Sequence, residues 1–129
     1  MTVENSYLRQ VDHATIDGLA PDQRFVQRLL DRSNGAEHLS VSAIRTPAGG
    51  GSPEGMHTHD VDQLVYVLDG TMSFEVEGRE FDAGPDSLVV YKAGTPHRNW
   101  NAGSEPTLHL AINVPLPEEG KPRSRPWTG

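Results

Sequence analysis

Residues 51–70 read Gly51-Ser52-Pro53-Glu54-Gly55-Met56-His57-Thr58-His59-Asp60-Val61-Asp62-Gln63-Leu64-Val65-Tyr66-Val67-Leu68-Asp69-Gly70. The stretch combines a Gly/Pro-broken approach, a His-x-His pair, and a run of Val, Leu and Tyr that stops at Asp69-Gly70. In an extended chain, residues i and i+2 lie on one face, roughly 7 Å apart. His57 and His59 can therefore turn both imidazoles toward one ion, at metal–nitrogen distances of about 2.1 Å. Gln63 follows four residues later and can return to the same wall after a bend, offering its carbonyl oxygen as a ligand.

Strand signals extend in both directions. Leu39, Val41 and Ala43 alternate with Ser40, Ser42 and Ile44, the period of a strand. Gln63–Leu68 and Thr71–Val76 flank a turn and predict a hairpin. Glu77-Gly78 predicts a second tight turn, into Arg79-Glu80-Phe81. Ser87–Tyr91, His97–Asn101 and Thr107–Val114 complete the series, and Phe25–Leu30 before it fits a strand or a helix, with the strand favoured. Ala20–Arg24, with Pro21 at an early position, is the one helix-capable turn. The spacing is short and regular, which predicts an all-β antiparallel sandwich or barrel over a βαβ sheet. Pro115, Pro117, Pro122 and Pro126 bar a helix or central strand from the tail, which is expected to run extended over the surface or a partner subunit.

Composition narrows the function classes. The chain has 129 residues, which fits one domain over 1–129 with its barrel at about 39–114. It has no cysteine, so thiolate zinc sites, iron–sulfur clusters and disulfides are excluded. The net charge of −7 disfavours phosphate backbones and anionic membranes. No apolar run reaches membrane-spanning length, and the first residues carry no secretion signal, so a cytoplasmic location is expected.

A second site segment lies at Lys92-Ala93-Gly94-Thr95-Pro96-His97-Arg98-Asn99-Trp100-Asn101. Its turn can aim His97 inward. Asn99 and Asn101 would share that face and are candidates for substrate binding. The two segments together resemble the two motifs of the cupin superfamily. In the first, Gly51, His57, His59, position 63 and Gly70 all fall at the family's spacing. In the second, Gly94, His97 and Asn101 match. Two departures stand out: Gln63 replaces the usual Glu, and Lys92 replaces a Pro. The resemblance implies a double-stranded β-helix, or jelly roll, with one divalent metal (Zn, Fe, Ni or Mn) in its mouth on His57, His59, Gln63 and His97. It also implies a homodimer with exchanged terminal strands.

Gln63 changes the expected chemistry. A carboxylate would cancel one charge of a divalent ion, whereas an amide leaves the site near +2. Such a site is a strong Lewis acid that attracts anionic oxygen ligands. His109 is a candidate base. It shares a face with Thr107, Ala111 and Asn113, and that face is either the barrel interior or the opposite surface of the sheet. The expected function is Lewis-acid and acid–base chemistry on a small anionic or enolisable molecule, of cyclase or isomerase type. The alternatives are a three-His Fe(II) dioxygenase of a diketone or phenol, and a cupin that only binds a small molecule.

Overall fold

The computed structural model describes residues 7–52, 54–116 and 124–127. Ten strands form two five-stranded sheets. They are β1 (Phe25–Leu30), β2 (Ser40–Thr46), β3 (Met56–Thr58), β4 (Asp62–Asp69), β5 (Met72–Val76), β6 (Arg79–Ala83), β7 (Leu88–Tyr91), β8 (His97–Trp100), β9 (Thr107–Val114) and β10 (Arg125–Trp127). One sheet runs β1-β2-β9-β4-β7 and the other β10-β3-β8-β5-β6, with every named pairing antiparallel. The fold is an all-β antiparallel double-stranded β-helix.

The predicted strands fall close to the observed ones, but the predicted hairpin at Gln63–Val76 does not form. β4 pairs with β7 and β9, while β5 pairs with β6 and β8 in the other sheet. The Asp69–Gly70 turn therefore carries the chain across the sandwich. Gly70 has φ +80°, and a Cβ there would lie 2.9 Å from Thr107 Cγ2. A side chain at this corner would be both strained and in collision. The Glu77–Gly78 turn does close a hairpin, β5 to β6, with both residues at positive φ as a type I′ turn needs.

The helix expectation also shifts. Ala20–Arg24 contains only a turn, and the short helix α1 spans His13–Asp17. Asp12 caps it by accepting from the Thr15 backbone N–H. Beyond the turn, Arg45 is buried and donates to the carbonyls of Ala20 and Gln23 at 3.0 and 2.7 Å. This clamp sets where the chain enters β1.

Alternation along the strands selects the interior. Val65, Val67, Met72, Phe74, Ala83, Val89 and Tyr91 form one buried cluster from β4, β5, β6 and β7. In the tail, β10 pairs with the edge of β3, Pro126 opposite His57. An edge position is where a proline costs no ladder bond. The remainder of the tail, with Pro117 and Pro122, lies outside the described residues. Among the described residues no helix is long and apolar enough to cross a membrane.

Candidate metal centre

His57 lies on β3, His59 just beyond it, and His97 opens β8 directly opposite His57. The register delivers what the spacing implied. One ligand nitrogen from each of His57, His59 and His97 lies within 4.8 Å of the others. The ring centroids are 4.4 to 5.1 Å apart. Loop hydrogen bonds fix this arrangement. Gly94 N–H donates to the His59 carbonyl at 2.8 Å, and Ala93 N–H donates to Asp62 Oδ1 at 2.8 Å. These bonds tie the turn before His97 to the segment carrying His59.

The motif glycine at 51 has a packing reason. Gly51 bridges to Trp100, and a Cβ there would lie 2.6 Å from the Asn99 carbonyl oxygen and 2.7 Å from Trp100 Cα. Only glycine lets the backbone at 51 lie this close to β8. Ser52 N–H then donates to the Asn99 carbonyl at 2.7 Å.

The residues fit a metal ion. The Thr95 carbonyl can only accept, so its 2.9 Å contact with His97 Nδ1 places the proton on that nitrogen. Nε2 of His97 then carries a lone pair, is buried, and has no hydrogen-bond partner among the described residues. A buried, unpartnered acceptor is costly, and beside two further imidazoles a bound cation would satisfy it. Burial, assisted by His57 and His59 and opposed by the Thr95 carbonyl, holds His97 down to about 4. Burial and then His59 lower His57 as well. Both rings are therefore neutral at pH 7, as ligands must be.

A cavity of about 340 Å³ opens on His57 and His59, with His97 packed behind them, and is also lined by Arg24, Gln63, Asn99 and His109. Gln63 Nε2 donates to Asn113 Oδ1 at 3.0 Å, and Asn113 Nδ2 donates to Ser40 Oγ at 3.2 Å. The Gln63 nitrogen is thus occupied, and its oxygen is the atom left for a cation. His109 lines this cavity, which settles its facing. It is 5% exposed, its Nδ1 has no partner among the described residues, and burial followed by the charge of Arg24 holds it down to about 4.

Of the two asparagines proposed for substrate, only Asn99 reaches the cavity. Its Nδ2 donates to the Tyr91 hydroxyl at 3.0 Å. Asn101 is a correction. It is buried, its Nδ2 donates to the Thr46 and Glu105 carbonyls, and its Oδ1 accepts from Gly103 N–H. β8 ends at Trp100, so the alternation that would have turned Asn101 inward stops one residue short. Sequence reasoning missed Tyr91, which stacks on His97 with ring centroids 3.7 Å apart and planes at 11°. It missed Asn113 and Arg24 too. The only signal for Asn113 was its shared face with His109; Arg24 carried none.

The Cupin domain family matches residues 44–113. The chain is a cupin. No curated protein is similar enough to match it. Among solved structures it is similar to the polyketide cyclase RemF from Streptomyces resistomycificus, at 21% identity over 81% of this chain and 71% of that one, TM-score 0.68. It is also similar to a putative sugar phosphate isomerase from Acidithiobacillus ferrooxidans (21% identity, 83% and 75% covered, TM-score 0.65). A third similar structure is an RmlC-like cupin with a double-stranded β-helix fold from Methanocaldococcus jannaschii (17%, 73% and 82%, TM-score 0.62). At these identities the likeness concerns the fold.

Proposed function

We propose that this cupin is a metal-dependent enzyme of cyclase or isomerase type, acting on a small enolisable molecule. The observation that carries the reading is a three-histidine cluster, His57, His59 and His97, whose first two members line one cavity with a further buried imidazole, His109, and with no carboxylate among the described residues of its lining. His57, His59, His97 and the Gln63 oxygen would hold one divalent ion. When bound, that ion supplies a Lewis acid for a carbonyl oxygen.

The other steps belong to side chains. His109, held neutral by burial, accepts a proton from the carbon next to the substrate carbonyl. The C–H electron pair becomes a C=C bond, and the carbonyl π pair moves to oxygen to give an enolate. Where the carbon that lost the proton carries a hydroxyl, its O–H proton passes to the neighbouring oxygen, and the former carbonyl carbon takes the proton back from His109, which moves the carbonyl by one carbon and isomerises the molecule. Alternatively, attack of the enolate carbon on a second carbonyl closes a ring, the π pair of that carbonyl moving to its oxygen, which takes the proton from His109. Asn99, on the same lining, is placed to hydrogen-bond an oxygen of the substrate. Two cupins of similar fold are described as a polyketide cyclase and a putative sugar phosphate isomerase, which supports this class of chemistry.

Elemental analysis combined with deuterium exchange into pyruvate tests the proposal. About one metal ion per chain and exchange lost in His109→Ala are expected. His57→Ala should fold and lose the ion. A purified chain that takes up no divalent ion at neutral pH would overturn the reading. Oxygen consumption with iron, and none with zinc, would move it to a dioxygenase. The proposal extends to a homodimer. β7 is an edge strand whose Leu88 and Val90 are 53% and 48% exposed, apolar surface that a second copy would cover. Sedimentation as a monomer would remove that part.

A further inference from the structure

Arg24 stands in a position that fold and metal centre leave unexplained. It lines the cavity together with His57, His59, Gln63 and His109 and is the only arginine or lysine among the described residues of its lining. Arginines that serve the scaffold here are bonded to it. Arg45 holds two carbonyls, Arg98 pairs with Glu75 at 2.7 Å, and Arg125 pairs with Asp60 at 3.1 Å. Arg24 has no ion pair and no side-chain hydrogen bond among the described residues.

Its backbone is nevertheless held. Arg45 grips the carbonyl of Gln23, the residue just before Arg24, and Phe25 just after it pairs with Arg45 in the β1–β2 ladder. The guanidinium is therefore an unspent cation presented at the cavity from a fixed backbone. The setting strengthens the argument. The chain carries 18 acidic against 11 basic residues, yet no Asp or Glu among the described residues lines this cavity. A surface of that sign repels anions at long range, and Arg24, exposed at the rim of the cavity, supplies a local cation that reverses this at contact.

We propose that Arg24 is the substrate-anchoring residue, taking a carboxylate of a small oxo-acid so that its enolisable carbon lies toward His109. This rests on the cavity being the substrate site, as argued above. The planar fork of arginine suits a carboxylate bidentately, and a lysine would reproduce only its charge. A cavity of about 340 Å³ is at the small end for ligand sites, which suits a compact acid.

Calorimetric titration with malonate at low salt tests this, in metal-free and metal-loaded protein, with neutral malonamide as the control. Arg24→Gln should weaken malonate binding by roughly 10- to 100-fold in both forms, the usual worth of a hydrogen-bonded charge. Arg24→Lys should recover part of the loss, and malonamide should not distinguish the three proteins. Equal malonate affinity in wild type and Arg24→Gln would overturn the proposal. So would an equal loss of malonamide binding, or no malonate binding by the wild type in either form. Failure to load metal would sink the metal reading alone, because the metal-free comparison still reports on Arg24.

Discussion

The two halves of the barrel interior are built from the same alternation and have opposite character. The half between β4, β5, β6 and β7 is filled by Val65, Val67, Met72, Phe74, Ala83, Val89 and Tyr91. The half facing β2, β3, β8 and β9 keeps a cavity bordered, among the described residues, by imidazoles, the amides of Gln63 and Asn99, and one guanidinium. The packed half contributes stability through apolar burial, and the open half tolerates unsatisfied nitrogens because that stability offsets them. Tyr91 joins the two. It belongs to the apolar cluster and also stacks on His97.

Breaking the packed half should give the largest effect. Phe74 is fully buried between Phe81, at 5.5 Å, and Tyr91, at 6.5 Å. Phe74→Ala should cost about 3–5 kcal/mol in chemical denaturation, with the midpoint lowered and the slope little changed. A loss below 1 kcal/mol would mean that the two halves are not energetically distinct.

Acid should break the open half. His97 and His109 are each held down to about 4 by burial, against 6.5 for an ordinary histidine. Their neutral forms are favoured in the fold. The metal-free protein should therefore hold full stability above pH 6.5 and lose it as pH falls toward 4, since the unfolded chain binds protons there first. The loss should amount to a few kcal/mol, read from denaturation midpoints across that range. Replacing His109 by Gln should flatten part of the slope. A flat profile from pH 7 to 4 would show both rings to be solvated.

Gln63→Glu probes the charge of the site. The new carboxylate should raise affinity for a divalent ion and lower affinity for malonate on the loaded protein, by roughly tenfold each at the effective dielectric of a partly buried site. A rise in malonate affinity would refute the charge argument. Nothing in the comparison between halves depends on this outcome, so the experiment sharpens the open half alone.

How much of this was legible in the sequence differs between the halves in the same way. Strand period and turn residues located eight of the ten strands, since alternation and Gly/Asp turns are local signals, while the three-residue β3 and β10 and the helix His13–Asp17 are too short to carry a period. His57, His59 and His97 were legible because two short segments carry them at fixed spacings. Strand partners were not: Asp69–Gly70 reads as a hairpin turn, and only the contact with Thr107 shows the chain crossing between sheets. Arg24 was hidden for a related reason. Its place at the cavity depends on Arg45, 21 positions away in the chain, gripping the turn before it. Asn101 was misjudged because its partners, Thr46 and Glu105, lie in loops that periodicity does not describe.

The smallest effect concerns the residue that joins the halves. Tyr91 makes two contacts toward the open side, a ring stack on His97 and a hydroxyl that accepts from Asn99. Burial raises its phenol well above the ordinary value, so it remains protonated throughout the working range. Tyr91→Phe keeps the stack and removes the hydroxyl. The Asn99 amide would lose one acceptor but stands at the cavity wall, where water can replace it. The expected cost is about 1 kcal/mol of stability, with metal affinity changed less than about threefold. Tyr91→Leu would remove the stack as well, and its larger effect on metal affinity would show that the ring orients His97. If Tyr91→Phe alone lowered metal affinity tenfold or more, the hydroxyl would be what couples the packed half to the metal centre, through Asn99 and not through the stacked ring.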